Sequence, residues 1–339
     1  MPEVNSILGV GNIWHPLQDH FWLAKLGMWG LVYSWVVYVA RFIGVQCVTW
    51  LPHVRSPHAR VVQVSRWALT LSTLLLTTSL VQRSLEAGFF ALSNMYESLL
   101  VLVISLLASF LVVDIRDMLP QKYTSMMGWV VVTLALTTFW FALSLPTGIQ
   151  PLQPSLVSYW RSIHVPIIIL SYALFTLAMV ASLLQLVHAR HDPDNALPAE
   201  VLPSVVVTMA NVDEPLVKEP ASAMPLPQTE GFHALSQTYE TFAYRCIGLG
   251  FPCLTIGIIL GGLWANEAWG NYWSWDPKES MALVTLLGYG VYLHLRMAGQ
   301  VSRRVLAYVS LASFVLMLVT YFGVNLMGLG LHSYGKFGS

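Results

Sequence analysis

The sequence is poor in charge. Asp, Glu, Lys and Arg make up 10% of its 339 residues, against about 25% in soluble globular domains. A soluble fold of this length would need a charged surface that these residues cannot supply. Cysteine is scarce as well: Cys47, Cys246 and Cys253, with no CxxC, which argues against a dithiol relay or a thiolate metal site. Cys246 and Cys253 lie seven apart in an apolar stretch and read as small buried hydrophobes. Lys plus Arg equals Asp plus Glu at 17 each, so no basic field exists to attract nucleic acid. The N-terminus, MPEVNSILGVGNIW, lacks a positive segment followed by an apolar run and a small-residue cleavage site. No cleaved signal peptide is expected.

What is abundant is apolar surface: 56% of the residues are hydrophobic and the mean hydropathy is +0.62. The natural class is an all-α, polytopic membrane bundle. Eight stretches reach the length of about 17–25 residues that a bilayer requires: 23–46, 65–82, 96–113, 126–145, 164–188, 246–264, 280–297 and 304–327. The first carries Lys25 and Arg41 near its ends, where both are expected to snorkel. The second is short and rich in Ser and Thr, which can bond back to helix carbonyls.

Residues 189–245 break the pattern, with seven of the 18 prolines and eight of the 17 acidic residues. Such a stretch cannot bury enough apolar surface to offset its ordering entropy. It reads as a flexible, Pro- and acid-rich cytoplasmic linker, whose last part, HALSQTYETFAYR, can form a short helix leading into the sixth span. The chain thus divides into 1–188, spans one to five; the 189–245 linker; and 246–339, spans six to eight. Span parity puts twelve of the 17 basic residues on one side and Lys25, Arg83, Arg161, Lys278 and Lys336 on the other. The rich side is cytoplasmic by the positive-inside rule. Both termini and the loop at 264–280 then lie outside.

That loop, WANEAWGNYWSWDPKES, concentrates Trp264, Trp269, Tyr272, Trp273, Trp275 and Asp276. Any one tryptophan is explained equally well by interfacial decoration. The cluster is not, and it suits a large planar ligand. If the loop were helical, Trp269 and Trp273 would share a face. Asp276-Pro277 with Glu279 also looks like a helix start, so Asp276 has a purely structural reading too.

Ten histidines add a second constraint. His164 opens span five and His332 follows span eight, both on the side of the tryptophan loop by parity. His294 lies inside span seven, where an imidazole is costly unless paired or ligating. Neutral imidazole is a common axial ligand of haem iron. Two outer histidines beside an aromatic platform could clamp a porphyrin; either one alone reads first as an interfacial hydrogen-bonding residue rather than a ligand. His15 and His20 fall on the same side. His294 sits about 21 Å along the helix from Ser280; it could hydrogen-bond a neighbouring helix or snorkel toward Arg296, and if it binds iron it does so at a different site or stage.

WGNYWSWDP resembles the WWD signature of haem-handling proteins of cytochrome c maturation. ALSNMYESL at 91–99, SYWRSIHVP, GFPCLTIGIILGGLWANEAWG at 250–270, YLHLR at 292–296 and GVNLMGLGLHSYG at 323–335 are similar to the CcsA (ResC) family of system II. The similarity runs from about residue 90 to the C-terminus, the linker excepted.

That resemblance implies a subunit acting with a CcsB/ResB membrane partner, in a holocytochrome c synthase complex. It accepts haem b as transported substrate and presents it to apocytochrome c, where thioether bonds form to a CxxCH motif. By motif position, His164 and His332 match the two external haem ligands and His294 an intramembrane ligand completed by the partner. No catalytic residue is assigned. The host membrane is a bacterial plasma membrane or a cyanobacterial or chloroplast thylakoid, with the WWD loop on the lumenal, extracytoplasmic side. Rival readings are a haem-delivery or lyase subunit of the tripartite Ccm-type system, a small-solute transporter, and a scaffold whose aromatic loop docks a protein.

Overall fold

The computed structural model describes residues 20–50, 59–149, 151–189, 229–327 and 330–331. Among them the long elements are eight helices: α1 His20–Trp50, α2 Ala59–Ala87, α3 Met95–Ile115, α4 Gln121–Leu143, α5 Tyr159–Ala189, α6 Thr229–Trp269, α7 Pro277–Ala298 and α8 Arg303–Leu318. A short 3-10 turn, Pro154–Leu156, precedes α5. α8 continues through a π-helical turn, Val319–Gly323, into a last turn, Val324–Met327. Each of the eight carries a stretch long and apolar enough to cross a membrane, and the all-α bundle expected from composition is present.

Hydropathy alone cuts the second span short, because it stops at a charge that the fold neutralises. The second span, expected at 65–82, is part of a helix running Ala59–Ala87. Its Ser and Thr hydroxyls do bond back, Ser72 to Ala68 O and Thr73 to Leu69 O, each at 2.8 Å. Arg83 near its end is fully buried and pairs with Glu97 of α3 at 2.7 Å, and it also donates to the carbonyls of Thr147 and Gly148. Arg41 does not snorkel. It is fully buried and grips Asp114 of α3 with two donors, at 2.8 and 3.0 Å, while Tyr38 donates to the same carboxylate. A guanidinium with a matched carboxylate can stay inside, where a lone one would have to reach water.

The 189–245 range also divides differently. Residues 190–228 lie outside the described residues. HALSQTYETFAYR is the beginning of α6 itself, which runs without a break from Thr229 to Trp269. Ser236, Tyr239 and Glu240 are buried there, and Glu240 pairs with Arg296 of α7.

α5 is the central helix. It packs most extensively on α6 and also touches α3, α4 and α8. Phe175 of α5 stacks face to face on Tyr289 of α7, with centroids 3.7 Å apart. Buried charge pins both ends of the bundle. Arg41–Asp114 and Glu240–Arg296 hold one end. At the other, Arg83 and Arg161 tie the inter-helix loops together. Arg161 donates to the carbonyls of Leu156 at 2.8 Å, Leu92 at 2.9 Å and Phe90 at 3.4 Å. That second end also carries the tryptophan loop and the end of α8.

Candidate functional site at the tryptophan-rich end

α6 stops at Trp269 because Gly270 turns left-handed (φ 80) while its N–H still closes on Asn266 O at 2.9 Å. A residue with a Cβ would be strained there. α7 restarts at Pro277 with Asp276 as N-cap and Glu279 completing a capping box, as the Asp-Pro and Glu pattern predicts. Glu279 Oε2 accepts from the N–H groups of Ser274 at 2.8 Å and Asp276 at 3.2 Å, which folds the loop back on the helix start. Trp269 and Trp273 therefore do not share a helix face, since a helix end separates them. Trp275 sits at φ 59 and is 70% exposed. A bulky residue in that region of backbone space is an outlier, of the kind found at ligand clamps.

His164 lies in the first turns of α5 and meets α6 at close range. A Cβ on Gly261 would stand 2.6 Å from the imidazole Cε1; glycine is what lets the ring in. The ring Nδ1 is 2.6 Å from Gly257 O. A carbonyl only accepts, so Nδ1 carries the proton and Nε2 carries the lone pair. This is the arrangement that orients and makes more basic a metal-binding histidine. The ring stacks on Trp264, with centroids 6.0 Å apart and planes 24° apart. Trp264 is fixed in turn by donating Nε1–H to Ser155 O at 3.0 Å and by packing on Trp269, centroids 4.9 Å apart.

These groups border a cavity with about 1150 Å³ of unfilled space, its open mouth included. His164, Trp264, Tyr272 and Trp273 line it. Trp269 and Trp275 do not; Trp269 supports Trp264, and Trp275 meets Trp273 edge-on at 5.7 Å. Tyr272 is 60% exposed, at the rim. Asp276 stands behind the wall, where its Oδ1 accepts the N–H of Leu331 at 2.5 Å. The loop is thereby bonded to the residue that precedes His332, which itself lies outside the described residues. His294 is remote from this cavity, exposed on the outward face of α7.

The sequence reading did not single out several lining groups: Met95 and Ser98 of α3, Arg161 and Tyr172 of α5, and Lys278, Thr320, Tyr321 and Asn325. Lys278 offered a signal, a lone cation in the opening turn of an apolar span. Arg161 offered the same signal at the start of α5; the Ser, Thr, Tyr and Asn offered none, because such residues commonly hydrogen-bond a neighbouring membrane helix.

A profile of the family described as Cytochrome C assembly protein matches residues 92–332. Proteins described as cytochrome c biogenesis protein CcsA share the chain at length. The one from Crocosphaera subtropica is 37% identical over 319 residues, covering 86% of this chain and 90% of its own. Those of Thermosynechococcus vestitus (38%, covering 80% and 87%) and Synechocystis sp. (37%, covering 83% and 90%) are similar. Among solved structures, a cytochrome c haem lyase, CcmF, superposes with a TM-score of 0.53 at 14% identity, over 88% of this chain and 46% of that one. At that identity the likeness concerns the fold.

Proposed function

The chain belongs to the cytochrome C assembly protein family, and from that premise we propose that it is the haem-presenting subunit of a system II maturation complex. Acting with a CcsB/ResB partner, it takes haem b through the membrane and offers it to the CxxCH segment of apocytochrome c. One observation carries this reading. An imidazole whose tautomer leaves Nε2 as the lone-pair nitrogen stacks on a tryptophan at the wall of an open, indole-lined cavity.

His164 supplies one axial ligand. His332 supplies the other, one residue beyond the Leu331 N–H that Asp276 holds. Trp264, Tyr272 and Trp273 give flat apolar contact, each stacked pair adding about 0.5–1.5 kcal/mol beyond area burial. His294, outward-facing on α7, is half of a second haem station. An imidazole on a membrane-facing surface needs a partner, and the companion subunit provides it. The end bearing Arg41, Arg66 and Arg296 faces the cytoplasm, and the tryptophan loop opens on the outer or lumenal side.

In the ligation itself, each cysteine thiol adds across a haem vinyl group. A sulfur–carbon bond forms, the vinyl π bond is lost, and the thiol hydrogen ends on the neighbouring carbon. The chain's part is to hold and orient the macrocycle. The test is co-expression with a CcsB-type partner and a reporter cytochrome. His164→Ala, His332→Ala and His294→Ala should each lower holocytochrome yield and change the haem spectrum of the purified complex. Unchanged yield and spectrum in all three would contradict the proposal.

A further inference from the structure

We propose that Lys278 is the counter-charge for a carboxylate on the ligand, a haem propionate, within this cavity; the inference rests on the haem reading. Lys278 lines the cavity from the first turn of α7. Its ammonium has three N–H donors, and its hydrogen bond is to a neutral group, Asn325 Oδ1, at 2.9 Å. No carboxylate oxygen of the described residues lies within 4.0 Å of it.

Other cations of the bundle differ. Arg41, Arg83 and Arg296 each hold a carboxylate, and Arg161 is occupied by three carbonyls. Both acids beside Lys278 are engaged with backbone. Asp276 accepts the N–H groups of Lys278 and Leu331, and Glu279 accepts those of Ser274 and Asp276. Neither acid makes an ion pair with the ammonium, and a ligand carboxylate can supply the charge-assisted bond that both withhold.

The position is also built. Asn325 comes from the turn just after the π-helical segment, an irregularity common at functional sites. Its amide N–H₂ donates to Tyr321 O at 2.9 Å and touches Met95 Sδ at 3.9 Å. With the nitrogen so held, Oδ1 faces the ammonium and fixes it at the cavity wall.

The probe pair is ferric haem and its propionate dimethyl ester, titrated into the full-length protein in nanodiscs and read by the Soret band. A charge-assisted hydrogen bond predicts that wild type prefers haem over the diester by about tenfold. Lys278→Gln should weaken haem about tenfold and leave the diester within about twofold. Lys278→Arg, which keeps the charge, should keep a preference for haem. Diester binding doubles as the check that the variant is folded. If Lys278→Gln binds neither probe, the Arg variant decides: a retained preference supports the assignment, and equal binding refutes it. Equal binding of both probes by wild type, or an equal but partial loss of both in Lys278→Gln, overturns the role of Lys278 while the haem site stands. Binding of neither probe by wild type overturns the haem site and this inference with it.

Discussion

The close approach of α6 to His164 can be tested with one methyl group. In Gly261→Ala the new Cβ would lie 2.6 Å from Cε1 and 2.9 Å from Nδ1 of the imidazole, closer than atoms pack. Either the ring retreats or α6 moves off α5. Retreat breaks the 2.6 Å bond to Gly257 O and the stack on Trp264. Overpacking costs about 1–3 kcal/mol, and a lost hydrogen bond about 0.5–1.5 kcal/mol. Against this, alanine gains about 0.8–1.0 kcal/mol over glycine in a helix interior. Gly248 on the same helix supplies the control, since nothing lies within 4 Å of its added Cβ. Gly248→Ala should raise thermal stability and leave haem binding unchanged. Gly261→Ala should lose about tenfold to a hundredfold in haem affinity, the equivalent of its 1–3 kcal/mol of crowding. Soret titration and thermal melting of both full-length variants give the comparison. Identical affinities and spectra would refute the claim that this contact seats the ligand.

Two further perturbations follow from the same end of the molecule. Arg83→Met leaves Glu97 buried without its cation and should destabilise by about 3–5 kcal/mol; adding Glu97→Leu should recover part of the loss in a melting experiment, and a double variant no better than the single would contradict the pairing. Asp276→Ala removes a helix cap worth about 0.5–2 kcal/mol and also the anchor of Leu331. Haem occupancy should therefore fall further than in Glu279→Ala, which opens the capping box and the loop but leaves the Leu331 anchor in place; equal occupancy in the two would deny Asp276 that second role.

The bundle was legible in the sequence because its signal is compositional. Long apolar runs have one solution in a bilayer, and all eight appear as helices. The helix ends were not legible, because Arg41 and Arg83 look like boundary charges until Asp114 and Glu97 arrive from α3. The start of α6 was hidden for a related reason: Glu240 makes its segment look polar, and only packing against Arg296 explains it. Asp276 read correctly as a cap, since capping is local chemistry three residues long. Its grip on Leu331 could not be read, because 55 residues separate the two. The same holds for the wall of the cavity. Its indoles cluster in one loop and stand out, whereas Ser98, Tyr172 and Asn325 come from three helices and look ordinary in each.

The claim on which the account turns is that two imidazoles from separate parts of the chain hold one iron beside the tryptophan loop. Near-infrared magnetic circular dichroism of the haem-loaded, full-length protein reports axial ligands directly. The account predicts a bis-imidazole signature that disappears in His164→Ala and in His332→Ala and returns when free imidazole is added. A bis-imidazole signature that survives both substitutions would contradict it.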